Sequence, residues 1–185
     1  MEIEAFFQTI KIPATVIHVI SVVFGMGSAL TADALFSFFS KDKKLNATEI
    51  KTLSILAKIV FYSLWIIVLS GIALFLSDVP RYSHSVKFLG KMSILLILVI
   101  NGYALNKYVW PHLLNKKFFI ETKERAVRKL AFVSGAVSVV SWLSVCILGV
   151  LDSVSISYEV LMGTYGIVIG SSIFVALAIE KKEFN

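Results

Sequence analysis

The sequence predicts an all-α integral membrane bundle of five transmembrane helices, with the N-terminus outside and the C-terminus in the cytoplasm. Three observations carry that expectation. Hydrophobic residues make up 57% of the chain and charged residues 16%, against about 25% charged in soluble domains; the mean hydropathy is +0.84. Apolar runs long enough to cross a bilayer recur along the chain, and the basic residues gather in alternate connections between them.

A spanning helix needs about 20 mostly apolar residues, because nothing in the hydrocarbon satisfies a free backbone group. The first run lies between Lys11 and Asp33, with an apolar extension, ALFSFF, up to Ser40. The second extends from Ile59 to Leu76, between Lys58 and Asp78. The third begins near Val86 and reaches about Val109, although its strictly uncharged part is only Met92 to Asn106. The fourth runs from Leu130 to Leu151 and the fifth from Val160 to Ile179. With their flanks, the spans fall at residues 12–40, 52–77, 86–109, 129–151 and 158–180 of a single transmembrane domain.

The connections set the orientation. Lys41, Lys43, Lys44, Lys51 and Lys58 follow the first span, and Lys107, Lys116, Lys117, Lys123, Arg125, Arg128 and Lys129 follow the third. With Lys181 and Lys182 these are fourteen of the eighteen basic residues; only Lys11, Arg81, Lys87 and Lys91 fall on the opposite side. The positive-inside rule makes the lysine-rich side cytoplasmic. A net charge of +6 distributed in this way orients helices rather than binding nucleic acid, so the expected partner is the lipid bilayer. A homo-oligomer is compatible with so small a bundle.

Outside the spans, Glu2 to Lys11 is expected to form a short interfacial helix, with Pro13 opening the first span. Residues 112–129 alternate charges around Phe118, Phe119 and Ile120, as in a helical continuation of the third or fourth span. Glu2 and Glu4 stand where a signal peptide carries its positive charge, so the first run is expected to be retained.

Small residues at four-residue spacing let helix backbones approach closely. Ser21, Gly25 and Ala29 have that spacing in the first span; Gly166 and Gly170, with Gly163 a turn earlier, have it in the fifth. Ordinary packing within the bundle is the expected use of these positions. Ser134, Ser138, Ser141 and Ser144 of the fourth span can bond within their helix or across to a neighbour.

Ionisable groups inside apolar runs are the candidates for chemistry, because burying them costs free energy. They are His18, Asp33, Lys58 and Lys91, joined by Asn101 in the third span. His18 and Asp33 lie about 60° apart around one helix and about 22 Å apart along it. Depth matching sets Asp33 against Lys58 at the cytoplasmic side and His18 against Lys91 at the outer side. The alternative is that Lys58 and Lys91 snorkel to the headgroups from the edges of their runs. Tyr62 and Trp65 share a face with Lys58, and Tyr108 and Trp110 suit an aromatic belt.

One cysteine, Cys146, excludes an intramolecular disulfide, a Cys-x-x-Cys pair and a thiolate zinc site. No phosphate loop, HExxH or nucleophile–base constellation appears, so an enzyme is the less supported reading. A bis-histidine haem, or a metal, would draw on His18 and His84.

The runs HVISVVFGMGSALTADALFSFF, VLSGIALFL and KFLGKMSILLILVINGYALNKYVWP resemble a group of small bacterial multispanning membrane proteins, a likeness that brings no activity with it. The histidine early in the first span, with a glycine pair after it, is similar in style to copper-resistance-D-like membrane domains. That resemblance implies haem or copper association, and it points to His18, Gly25, Asp33, Lys91 and Asn101. Three functional readings result. The first is movement or gating of an ion or small solute along a polar path; the others are a membrane b-haem or metal-binding electron-transfer protein using His18, and a non-catalytic accessory or assembly subunit.

Overall fold

A computed structural model describes residues 2–113 and 124–184. Phe118, Phe119 and Ile120 lie outside the described residues. The helices in chain order are α1 (Glu2–Thr9), α2 (Lys11–Phe39), α3 (Ala47–Leu76), α4 (Val79–Ser83), α5 (Val86–Ala104), α6 (Trp110–Leu113), α7 (Arg125–Val150) and α8 (Tyr158–Phe184). A π-turn, Leu105–Val109, joins α5 to α6, so one rod continues from Val86 to Leu113. Among the described residues, α2, α3, the α5–α6 rod, α7 and α8 make five helices long and apolar enough to cross a membrane.

Their surface explains why the chain needs one. Ile12, Val23, Phe24, Leu69, Ile167 and Phe174 point outward and are largely exposed. In water, apolar surface on this scale drives association; in a bilayer it meets lipid. This is a multi-pass membrane protein.

Most helices reach further than hydropathy alone marks. The segment KDKKLNATEIK reads as a connection, yet its second half is helix. Asn46 caps α3 by accepting from the Glu49 amide at 2.9 Å, while the Glu49 carboxylate accepts from the Asn46 amide at 2.8 Å. This reciprocal capping box satisfies two of the donors that a helix start leaves unpaired. Ahead of it, a short 3-10 turn (Ser40–Asp42) ends on Lys43 at φ 54°, a left-handed residue that reverses the chain. At the other end, α1 packs against α3, with the Gln8 amide donating to the Ser77 carbonyl.

The α2–α3 pair forms the most extensive interface, and α7 packs on α8, α5 and α2. Three apolar clusters stack through the bundle. Ile94, Leu148 and Tyr165 hold the half away from the lysines. Ala29, Ile67, Leu98 and Trp142 fill the middle. Val109, Leu113 and Ala131 hold the lysine-rich end, with Phe36, Leu45 and Phe184 packed around them.

The small-residue stripes divide between inside and outside. Ser21, Gly25 and Ala29 are buried on the inner face of α2. A Cβ on Gly25 would lie 2.8 Å from Trp142 Cη2 and 3.0 Å from Ser63 Cβ, so only glycine admits this approach. Gly163, Gly166 and Gly170 behave otherwise: a Cβ at any of them meets nothing within 4 Å. Their expected role in bundle packing is corrected. Tyr165, one residue away on the helix, is the side chain that turns inward.

Candidate functional site

Asp33 and His18 both leave α2 toward the interior, but toward different neighbours. Asp33 meets α7, where a Cβ on Gly135 would lie 3.4 Å from its Oδ1. The Ser138 side chain, one turn further, reaches the same carboxyl group. The other oxygen, Oδ2, is buried and has no hydrogen-bond partner among the described residues. A buried polar atom left without a partner costs roughly 1–3 kcal/mol. A Cβ at Gly135 would therefore touch the carboxyl group at ordinary van der Waals distance.

Asn101 of α5 meets the same stretch of α7. Its side-chain amide donates to the Ser134 carbonyl at 3.0 Å, tying the α5–α6 rod to α7. Asp33, Ser138, Gly135 and Asn101 thus form one polar level, toward the lysine-rich end from the central apolar cluster.

The His18 level lies on the other side of that cluster. His18 Nδ1 and Ser70 Oγ of α3 are 2.9 Å apart, and the ring rests over Gly71, where a Cβ would be 3.7 Å from Cε1. Ser70 also donates to the Ile66 carbonyl at 2.5 Å. Lys91 of α5 is half-buried and within Coulombic reach of His18 and of Lys87. Lys87, at the membrane edge, donates to the Leu151 carbonyl.

Between the two levels stands Trp142, 2% exposed. Along α2, Gly25 is about 10 Å from His18 and about 12 Å from Asp33 by helical rise. Trp142 lies across Gly25 and closes the space between them.

One depth-matched pairing fails here. Lys58 does not pair with Asp33: it is exposed on the outer face of α3, alongside Tyr62 and Trp65, which are 63% and 56% exposed. Its long side chain belongs to the lipid-facing surface, where the ammonium can reach the headgroups. His84 is exposed in the loop after α4, its Nδ1 at 3.1 Å from the Pro80 carbonyl and from Ser83 Oγ, and no interaction joins it to His18. Among the described residues no three His, Cys, Asp or Glu side chains group as metal ligands.

Two charge pairs at the lysine-rich end have no counterpart in the sequence reading. Arg128 Nε donates to Glu180 Oε1 at 2.9 Å, with side chains 5% and 1% exposed. The Phe184 ring centre lies 4.8 Å from the guanidinium carbon, and an edge-to-face series Phe36–Phe132–Phe184 continues inward. His112 Nδ1 and Glu124 Oε2, 2.7 Å apart, join the end of α6 to the start of α7. Arg128 and Glu180 looked like mere boundary charges. The signal that finds them is depth: Arg128 sits two residues before the fourth apolar run and Glu180 one after the fifth, at one end of antiparallel helices.

Comparisons with protein-family models, curated proteins and solved structures match nothing to this chain.

Proposed function

We propose that this protein moves or gates an ion or small solute across a bacterial cytoplasmic membrane through the centre of its own bundle. One observation carries the reading: a carboxyl oxygen of Asp33 is buried between α2 and α7 with no hydrogen-bond partner among the described residues. Intramembrane acids held at such cost mark ion and proton routes more often than they mark structure. The neighbourhood supports it, since two polar levels, Asp33–Ser138–Asn101 and His18–Ser70–Lys91, flank the Trp142 cluster. A solute passing from one level to the other requires the indole to move. The path therefore runs through His18, Asp33, Lys91 and Asn101, and excludes Lys58.

The test is flux into proteoliposomes, with protons, alkali cations and small anions followed in parallel. Asp33→Asn and His18→Ala should each lower the transported species at least about tenfold, the factor that corresponds to about 1.4 kcal/mol of lost stabilisation. Unchanged flux in both variants removes them from the path.

The orientation belongs to the same proposal. The fourteen-to-four basic partition supports a cytoplasmic C-terminus. In intact cells, a cysteine placed at Ser83 should react with a membrane-impermeant maleimide, and one at Lys44 should react only after lysis. The reverse pattern inverts the topology.

A further inference from the structure

We propose that the bundle works by alternating access: the α1–α3 group rocks against the α5–α8 group, so that Asp33 is reached from one side of the membrane at a time. The proposal rests on the reading of Asp33 as the site that the moving species visits, and it adds a second gate on the far side of Asp33 from Trp142. That gate is Phe36 of α2 against Phe132 of α7, with ring centres 5.8 Å apart in an edge-to-face contact. Phe132 meets Phe184 of α8 in the same manner at 6.0 Å. Val109, Leu113 and Ala131 complete the layer, and Leu45 joins it from the connection before α3. Asp33 therefore lies between two apolar layers, one held by Trp142 and the other by Phe36 and Phe132.

The helix contacts mark where such motion can occur. α2 packs chiefly on α3, and α7 on α5 and α8, so the principal seam between the two groups is α2 against α7. Three contacts lie along it in matching order: Gly25 meets Trp142, Asp33 meets Gly135, and Phe36 meets Phe132. Gly25 to Phe36 spans about 16 Å of α2, and Trp142 to Phe132 about 15 Å of α7. The antiparallel helices thus keep register from one layer to the other. Asp33 on Gly135 is the middle contact. Tilting α2 about it separates one outer contact while it presses the other together. Packed interfaces favour two discrete arrangements over continuous deformation, and rocking of two groups about a fixed central site is a general route across a membrane.

Polar links tie each group to itself. His18 and Ser70 join α2 to α3, Asn101 and Ser134 join α5 to α7, and Arg128 and Glu180 join α7 to α8. These bonds stay whole in either arrangement. Both gates, by contrast, are made of apolar contact, which is non-directional and can part and re-form without leaving a broken hydrogen bond behind. A cavity of about 210 Å³, lined by Ser40, Lys41, Lys43, Glu183 and Phe184, lies beside the phenylalanine layer at the lysine-rich end. With Trp142 absent, each opening of the phenylalanine layer would leave the whole seam open.

Cysteine reactivity in membranes tests it, with Cys146 replaced by serine and a single cysteine placed at Ser138, beside Asp33. A membrane-impermeant methanethiosulfonate is applied to one face at a time, and cysteines at Lys44 and Ser83 tell the faces apart. In this background the Ser138→Cys thiol should react slowly from both faces. Phe132→Ala should speed the reaction from the Lys44 face at least about tenfold and leave the other face unchanged; Trp142→Ala should do the reverse. Phe36→Ala removes the half-buried ring of the same contact, and it reads the gate where loss of Phe132 unfolds the protein. Rapid reaction from both faces before any truncation, or truncations that open both faces or neither, overturns alternating access. The readout needs no transport. Unchanged flux in Asp33→Asn with one-sided labelling removes Asp33 from the route and leaves the two gates. Lost flux with two-sided labelling keeps the route and removes the alternation.

Discussion

Arg128→Ala should cost this protein about 3–5 kcal/mol of folding stability, the range for removing one partner of a buried ion pair. The loss lies in what remains. Glu180 is 1% exposed, its Oε1 is held by the Arg128 guanidinium at 2.9 Å, and its Oε2 has no hydrogen-bond partner among the described residues. Without the arginine, a carboxylate stays buried with its cation gone. The Phe184 ring loses the nearer of two cations as well, keeping Lys43 Nζ at 5.8 Å, and such a contact is worth about 1–2 kcal/mol when desolvated. Glu180→Gln should be milder, since the amide still accepts from Nε. The double variant Arg128→Met with Glu180→Leu should recover most of the loss, because apolar side chains of similar volume replace a buried pair at little cost. A double-mutant cycle read by thermal unfolding should therefore give a coupling energy of at least about 2 kcal/mol. Additive single losses would mean that the pair holds nothing together. Added salt should leave the wild-type value nearly unchanged, since buried pairs are poorly screened.

Apolar run length made the five helices legible, because the bilayer punishes any other backbone in its core. Helix ends were less legible: hydropathy stops at the first charge, whereas α3 starts eleven residues before Lys58 on a capping box readable as N-A-T-E. The site was legible in part. Burial cost drew attention to His18 and Asp33, and their neighbours on α3 and α7 lie where depth alone had no say. Depth gives height in the membrane but no direction around a helix. That is why Lys58, matched to Asp33 in height, turns out to face away. Direction also separates the glycines: Gly25 faces a neighbouring tryptophan and Gly166 faces open space, though both stand in small-residue stripes. The Arg128–Glu180 pair shows the converse fault, since two charges taken as edges of apolar runs are in fact buried together.

Trp142→Ala should convert the bundle into an open leak. The indole is packed by Ala29, Ile67 and Leu98, with Val22, Met26 and Leu64 around it. Its removal should cost about 3–5 kcal/mol, the usual range for truncating a buried tryptophan. The vacated volume lies between two levels that carry hydroxyl, carboxyl and imidazole groups, so water has polar partners there and can enter. Proteoliposomes carrying the variant should therefore pass the transported species without saturation, and faster than the wild type, whereas a purely structural tryptophan would lower stability and leave the vesicles tight. Gly25 supplies the control. In the wild type, Gly25→Ala places a Cβ 2.8 Å from the ring and 3.0 Å from Ser63 Cβ, and it should destabilise by about 1–3 kcal/mol through overpacking. In the Trp142→Ala background the ring is gone and the same methyl group enters the space it left. Gly25→Ala should then be harmless or stabilising, and it should narrow the leak. A reversal of sign between the two backgrounds, in stability and in flux together, ties the gate to this one contact between α2 and α7.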